Sequence, residues 1–567
     1  MKEKIKSYIF IVIISIIVSI PLYKTDFNIL ADDGIQHVCR LMGTYQSITE
    51  GQTFPLIMSN FCNDFGYSWN IFYSPITAYI PLLFRLITDS YINCLKAFVL
   101  LLTILTGISM YECVYKITKN RLIGLLASTI YIFAPYRLTD IYKRVAIAET
   151  ASFIFLPMIF QGAYTIFDDE ETGKKKSGLL LIFGATGLIL THTVIAMYTA
   201  IFGFLYVIIN IKKLKDMNII KKLLIVLIFT ISITSFFWAP MLEHKLNTEY
   251  EVFKEGRMER SIYYELDLLD LVYTEHGTRT YQIGLVTIIG IVLTLLAFKK
   301  IDKRYKKIYI FSLVAGIFSI IMAMKWFPFE RLPSILKLLQ FPYRMLEFSS
   351  FFLAIVASIN YGILIKNFRA RDVFVLSCII ILLVIPLKNN IEYKEVKEDK
   401  LWPAVPVLQY TGRVHAGCAT FEYLPSKAFE NLNYVKTRED RVYVLQGESS
   451  VYNEQKNGCN MSFDISNVKE GTILELPYIY YLGYSVTLKE NDKTSIKLKI
   501  EESKNGFIQI QINKDITDGE IEVKYEGSLT MKISMCVSIL SFTLLMIYYL
   551  KTLEKNENAK KIEVVTE

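Results

Sequence analysis

Two adjacent carboxylates open the stretch Asp32-Asp33-Gly34-Ile35-Gln36-His37-Val38-Cys39-Arg40, just beyond an apolar N-terminal run. Beside a bilayer such a pair is costly unless it is solvated or used. Residues four apart share a helix face, so Asp33 and His37, with Arg40 close behind, could face one cavity from a helix capped by Asp32 or Asp33. The same pattern reads equally as a capped helix start in a solvated loop. A divalent ion held by Asp32 or Asp33 with a histidine is a further alternative.

Two more clusters carry charge in unusual places. The first runs from Pro135-Tyr136-Arg137 through Asp140 and Lys143-Arg144-Val145-Ala146 to Glu149. Cations are disfavoured on the outer side of a membrane, so Arg137, Lys143 and Arg144 there suggest an anionic partner such as a lipid phosphate. Snorkelling of long side chains at the interface is the competing reading. Glu149 begins the next apolar run and is placed to pair with Arg144. The second cluster is Phe341-Pro342-Tyr343-Arg344-Met345-Leu346-Glu347. Arg344 is either a phosphate ligand or one half of an Arg344–Glu347 helix pair.

The elements that must position these residues are membrane spans. Of 567 residues 53% are hydrophobic and 14% aromatic, and the apolar residues come in runs of about 15–22, the length that crosses a bilayer. The first run follows Lys2, Lys4 and Lys6 and lacks a small-residue cleavage motif, so it reads as a retained span. Further runs fall near 94–115, 121–135, 150–167, 178–191, 193–211, 223–240, 282–298, 308–324, 346–365, 373–387 and 531–550. Together they predict about twelve spans.

Loop charges orient them. Short basic loops (Lys116/Lys119/Arg121, Lys174–Lys176, Lys212–Lys222, Lys299–Lys307, Lys366/Arg369/Arg371 and the tail from Lys551) alternate with longer mixed ones at 23–93, 136–149, 241–281, 325–345 and 388–530. The basic set belongs in the cytoplasm. Both termini are therefore expected inside the cell membrane, and all three clusters outside. Phe72–Ile87 holds Pro75, Pro81 and Arg85 and reads as an interfacial or re-entrant helix; a full span there would reverse every later loop.

All five histidines (His37, His192, His244, His276, His415) fall outside or at an outer membrane edge. His192, at a span end, is a candidate for a polar outer cavity. Absences exclude other chemistries: no HExxH, no GxxxxGK[ST] and no GxSxG occurs. The net charge of +8 is small for this length and gives no argument for nucleic acid. Of eight cysteines none forms a CxxC; in an oxidising outer compartment Cys39–Cys62 and Cys418–Cys459 could pair.

Residues 388–530 change period. Ile496, Leu498 and Ile500, then Ile508, Ile510 and Ile512, then Ile521, Val523 and Tyr525 alternate as half-buried strands do. Asn505-Gly506 marks a hairpin. The segment predicts an independently folded β-sandwich. The organisation expected is a polytopic helical domain over 1–387 with a first external loop at 23–93, an extracytoplasmic β domain over 388–530, and a last span with a cytoplasmic tail over 531–567.

An early span, an acidic first external loop, a proline-bearing interfacial segment and many further spans resemble the GT-C class of membrane glycosyltransferases. The finer pattern resembles the bacterial "6-pyruvoyl-tetrahydropterin synthase-related" membrane family and YfhO-like membrane proteins. The residues that carry it are Asp32-Asp33-Gly34 with His37 and Arg40, Pro135-Tyr136-Arg137 through Arg144-Val145-Ala146 and Glu149, Phe341-Pro342-Tyr343-Arg344, Glu422-Tyr423-Leu424-Pro425, and Tyr480-Tyr481-Leu482-Gly483-Tyr484. The pterin name is a label, since pterin chemistry would need a soluble zinc–histidine site. The resemblance implies a polyprenyl-phosphate sugar donor, a cell-envelope glycan or polymer as acceptor, and Asp33, with Asp32 as alternative, as the base. Arg137, Arg144 and Arg344 are then candidates for the leaving phosphate. A transporter or flippase of lipid-linked precursors, or a non-catalytic envelope-assembly protein, is the alternative.

Overall fold

The computed structural model describes residues 2–24, 32–168, 175–254, 266–272, 281–388, 421–490 and 495–566. Helix α1 (Lys2–Lys24) buries Ile11, Ile14, Val18 and Leu22 and leaves Ile9, Ile13 and Ile16 exposed, the division expected of a helix with one face on protein and one on lipid. It packs on α3 (Tyr91–Thr118) and α4 (Arg121–Ile132). Gly107 permits the approach: a Cβ there would lie 2.6 Å from both Ile11 Cγ2 and Ile132 Cδ1. Between α1 and α3 the first external loop carries α2 (Gly34–Thr49) and the short helical pieces Trp69–Phe72, Ile76–Tyr79 and Pro81–Leu86. Leu83, Leu86 and Ile87 are exposed, as an interfacial segment requires.

Six helices are long and apolar enough to cross a membrane: Lys2–Tyr23, Tyr91–Thr118, Ile147–Phe167, Lys303–Ala323, Pro342–Leu364 and Leu529–Lys551. Two bent pairs, Arg121–Ile132 with Pro135–Arg144 and Met217–Ile233 with Ser235–Asn247, raise this to eight among the described residues. The other apolar runs form helices too: Lys175–Ile189, Thr193–Ile209, the broken Leu285–Val292 and Ala370–Lys388. They account for the expectation of about twelve spans, although their length alone does not make each a span. The hub of the bundle is Met345–Leu364, buried along nearly its whole length.

Beyond the helices, nine antiparallel strands among the described residues form two sheets, ordered β1-β4-β8-β7 and β2-β3-β9-β5-β6. Their ranges are β1 Tyr443–Gln446, β2 Ser450–Asn457, β3 Asn460–Val468, β4 Thr472–Ile479, β5 Tyr484–Lys489, β6 Ile496–Leu498, β7 Ile500–Glu502, β8 Phe507–Ile512 and β9 Ile516–Tyr525. The alternating run at 496–502 changes sheets midway: β6 pairs with β5, β7 with β8. Asn505-Gly506 makes the β7–β8 turn with Gly506 at φ 84°. Two short helices, Ser426–Glu430 and Leu432–Thr437, precede the strands; the sequence pattern did not announce them.

The sandwich does not close its core alone. Leu56, Ile57, Met58, Phe61, Phe65, Tyr67 and Trp69 of the first external loop share one buried cluster with Phe463, Ile465, Leu476, Val486, Ile510 and Val523. The loop enters through Cys62, Asn63 and Asp64, three successive residues with φ of 56°, 59° and 63°, a conformation uncommon outside glycine. That turn aims Asn63 Nδ2 at the carbonyls of Val435 and Lys436, at 3.1 and 3.0 Å. Lys456 Nζ donates to the Asp64 carbonyl at 2.7 Å. Tyr478 and Tyr481 are buried in this core. No disulfide joins Cys39 to Cys62, both buried; Cys418, His276, His415 and the Lys174 end of its basic loop lie outside the described residues.

Candidate active site

The three charged clusters meet. Asp33 precedes α2 and donates its backbone N–H to the Arg144 carbonyl at 3.0 Å. Its side chain makes no capping hydrogen bond, so the carboxylate is not consumed by starting the helix. Arg144 lies at the end of the π-helical turn Asp140–Arg144, and Val145 follows at φ 53°, ψ 41°. A β-branched residue there is a true outlier, and such strain and π-turns gather at functional sites. The turn returns Arg144 over its own chain: Nη1 reaches Asp140 Oδ1 at 2.5 Å, Glu149 Oε2 at 3.0 Å and Tyr136 Oη at 3.3 Å. Tyr136 Oη also donates to Glu149 Oε1.

Arg344 joins the third cluster to the second. Its Nε reaches Glu149 Oε2 at 3.3 Å, and Nη1 donates to the Leu339 carbonyl at 3.0 Å and to Gln340 Oε1 at 2.9 Å. Its Nη2 has no hydrogen bond among the described residues. The anticipated Arg344–Glu347 pair does not form; Glu347 Oε1 accepts from Ser152 Oγ at 2.6 Å. Arg144 and Arg344 stand over the rings of Tyr343 and Phe341, each at 4.9 Å.

A cavity of about 270 Å³ opens beside this cluster. Phe72, Tyr73 and Ser74 of the first loop form one part of its wall, Thr191 to Val194 another, and Gln340 with Arg344 a third. Met241, Val252 and Phe253, with Glu422 and Tyr423 from the approach to the sandwich, complete it. Tyr73 feels the charges of Asp33, Arg40, Arg344 and Glu422. Burial pushes the Asp33 carboxyl up to about 6, against the opposing pull of Arg144 and Arg344. Burial, helped by Arg344, holds His192 down to about 3, so it lines the cavity as a neutral ring, its Nδ1 accepting from the Ile195 N–H at 3.3 Å.

The remaining sequence candidates lie elsewhere. Asp32 is exposed. His37 is buried with its ring edge-on to Tyr73 at 6.1 Å, and burial with Arg40 nearby lowers it to about 3. Arg40 is fully buried and spent on the loop itself: Asn70 Oδ1 at 2.9 Å, Thr77 Oγ1 at 3.0 Å and the carbonyls of Tyr73 and Ser74 at 3.0 and 3.1 Å. Arg137 turns into the bundle, where it donates to Thr103 Oγ1 at 2.9 Å and the Ile132 carbonyl at 3.2 Å. Both arginines pin chain rather than face the cavity. Three polar participants were given no role in the sequence reading of the site: Asp140, Gln340 and Glu422. Asp140 had a signal, its four-residue spacing from Arg144; the others had none. Among the described residues no three His, Cys, Asp or Glu side chains converge to hold a metal ion.

A second, largely apolar cavity of about 220 Å³ is walled by Ile130, Phe133, Pro135, Val286 and Ile380. The rings under the two arginines are themselves stacked: Tyr281 on Tyr343 at 4.4 Å, and Phe341 on Tyr343 at 5.2 Å.

Residues 71–393 match the model of a family described as 6-pyruvoyl-tetrahydropterin synthase related domain, membrane protein. An uncharacterized protein of Lactococcus lactis subsp. cremoris (strain MG1363) is 25% identical over 612 residues, covering 99% of this chain and 97% of that protein. Among solved structures, the archaeal oligosaccharyltransferase AglB from Archaeoglobus fulgidus, in complex with an inhibitory peptide and a dolichol-phosphate, is similar at TM-score 0.40 and 11% identity. The apo form of the Archaeoglobus fulgidus oligosaccharyltransferase is similar at TM-score 0.40 and 12% identity. Both matches cover 73% of this chain, which spans only 59% of those chains.

Proposed function

The chain belongs to the 6-pyruvoyl-tetrahydropterin synthase related family of membrane proteins, and from the chemistry of its outer site we propose that it is a membrane glycosyltransferase, moving a sugar from a polyprenyl-phosphate carrier to a hydroxyl of a cell-envelope acceptor. The observation that carries this reading is that Asp33, tied by its backbone N–H to the Arg144 carbonyl, and Arg344, in the wall of the cavity, are brought together through Glu149, which both arginines reach. A transfer of this kind needs a proton acceptor and a cation within reach of one reacting centre. In the proposed step the acceptor oxygen bonds to the anomeric carbon, the anomeric carbon–phosphate oxygen bond breaks, Asp33 takes the hydroxyl proton, and polyprenyl phosphate departs. A carboxylate raised toward neutrality is a better base than an ordinary one and is still ionised at neutral pH. Arg344, with Nη2 to spare, suits the developing phosphate charge; Arg144, held by Asp140 and Glu149, supports it from behind. The apolar cavity beside Pro135 and its aromatic neighbours suits the first units of a lipid tail.

Purified protein incubated with radiolabelled polyprenyl-phosphate hexoses and bacterial envelope fractions tests this. Wild type transfers label, and Asp33→Asn lowers turnover by at least roughly 100-fold, the scale of general-base catalysis, while donor binding persists. A larger loss in Asp32→Asn would move the base to Asp32. Wild-type transfer by both variants and their combination would overturn the assignment.

A further inference from the structure

Glu422 and Tyr423 reach the cavity from a different part of the chain than Asp33 or Arg344, the segment that leads into the outer sandwich. That segment is pinned from two sides. The Val252 N–H donates to the Glu422 carbonyl and the Ser426 N–H to the Glu249 carbonyl, both at 2.8 Å. From the first loop, Ser68 Oγ donates to the Tyr423 carbonyl at 2.6 Å, and the Tyr423 N–H donates to Tyr67 Oη at 3.2 Å. The Tyr423 ring is stacked on Phe72, centroids 5.6 Å apart and planes within 14°. The backbone of this segment is therefore held in the wall before any ligand arrives, with a carboxylate side chain next to an aromatic surface.

The chemistry of this wall differs from that around Arg344. A carboxylate repels a phosphate, so Glu422 is unsuited to the anionic end of a donor. It is suited to neutral hydroxyls, which donate to a carboxylate in charge-assisted hydrogen bonds, while an aromatic face takes the apolar C–H face of a sugar ring. We infer that Glu422 and the Phe72–Tyr423 pair form an acceptor subsite that recognises a neutral, polyhydroxylated sugar unit of a glycan, and that the outer domain contributes the residue selecting the acceptor. This inference rests on the transferase reading of the same cavity.

The full-length protein in lipid nanodiscs, applied to an array of neutral bacterial envelope oligosaccharides, tests it, with sugar-free polyprenyl phosphate as a second probe. Wild type binds at least one neutral glycan. Glu422→Gln and Phe72→Ala each weaken that binding by at least about tenfold, the loss of one charge-assisted hydrogen bond or one ring contact. Polyprenyl phosphate binding is kept in both, and Glu422→Asp recovers part of the glycan affinity. Arg344→Ala gives the reverse pattern. Absence of neutral-glycan binding in wild type, undiminished binding in Glu422→Gln, or equal loss of both probes would overturn the subsite. The two readings separate cleanly. Glycan binding that needs Glu422 without any transfer from polyprenyl-phosphate sugars sinks the transferase and keeps a glycan site. Transfer with an acceptor KM indifferent to Glu422 does the opposite.

Discussion

At the scale of single residues, the site is governed by how two arginines are shared among carboxylates. Asp33 titrates near 6 rather than 3.8 because burial outweighs the pull of Arg144 and Arg344. A raised carboxyl pKa means the folded chain holds that proton more tightly than the unfolded one, so ionising Asp33 costs stability as pH rises from about 4 through about 6. Asp33→Asn should therefore melt at a higher temperature than wild type near pH 7 and at the same temperature below about pH 4; equal shifts at both pH values would refute this. Turnover should fall as pH drops through about 6, with that limb missing in the variant. The two arginines should separate as well. Arg144→Ala leaves Asp140 and Glu149 buried without their main cation, a loss of about 3–5 kcal/mol, read as a lowered melting temperature. Arg344→Ala leaves Glu149 its Arg144 partner and should act mainly on polyprenyl phosphate affinity. Residue types alone made Asp33, Arg144 and Arg344 legible. They could not distinguish these from Arg40 and Arg137, because an arginine donating to carbonyls within the fold and one facing a ligand carry the same charge in the same kind of loop. Glu422 was quoted in a motif without a role, since nothing local says which distant wall it joins.

At the scale of elements, periodicity did its part: the period-two runs became β6 to β9, and the Asn505-Gly506 turn joined β7 to β8. What alternation cannot report is which outside residues cover the sandwich. Phe65 sits against Phe507 at 5.1 Å, and the Arg438 guanidinium lies over both rings while its Nε reaches Glu475 Oε1 at 3.2 Å. The Ile479 N–H donates to the Phe65 carbonyl at 3.0 Å. The buried core of the sandwich thus includes residues of the loop between α1 and α3. A soluble fragment spanning 421–528 should show β-type far-ultraviolet circular dichroism yet melt without a sharp transition, its half of the shared core exposed. Cooperative melting of that fragment alone would show that the loop is dispensable. In the whole protein Phe65→Ala should cost about 3–5 kcal/mol, the range for truncating a buried aromatic ring, measured as loss of thermal stability in nanodiscs.

At the scale of the whole molecule, charge sorts to two ends. Lys213 and Lys307, from two loops expected inside, both reach Asp168, at 2.8 and 3.4 Å, at the start of a third. Near the N-terminus Arg121 meets Glu3 at 2.7 Å, again between segments assigned to the cytoplasm, and Lys4 meets Glu112, one turn before the end of the span read at 94–115, at 2.9 Å. Asp33, Arg144, His192, Arg344 and Glu422, all assigned outside, gather around the other set of helix ends. Short loops read as cytoplasmic from their basic residues thus meet one another, and the longer loops of mixed charge meet one another. The orientation across the bilayer follows from the basic loops and is open to direct test. With wild-type protein as background, an impermeant maleimide applied to intact cells should label Glu448→Cys, in the outer sandwich, and spare Lys212→Cys until the cells are opened. Labelling of Lys212→Cys from outside would turn the protein over. The cavity beside Arg344 would then face the cytoplasm, and the proposal that it meets its lipid-linked donor and envelope acceptor on the outer face would have to be abandoned.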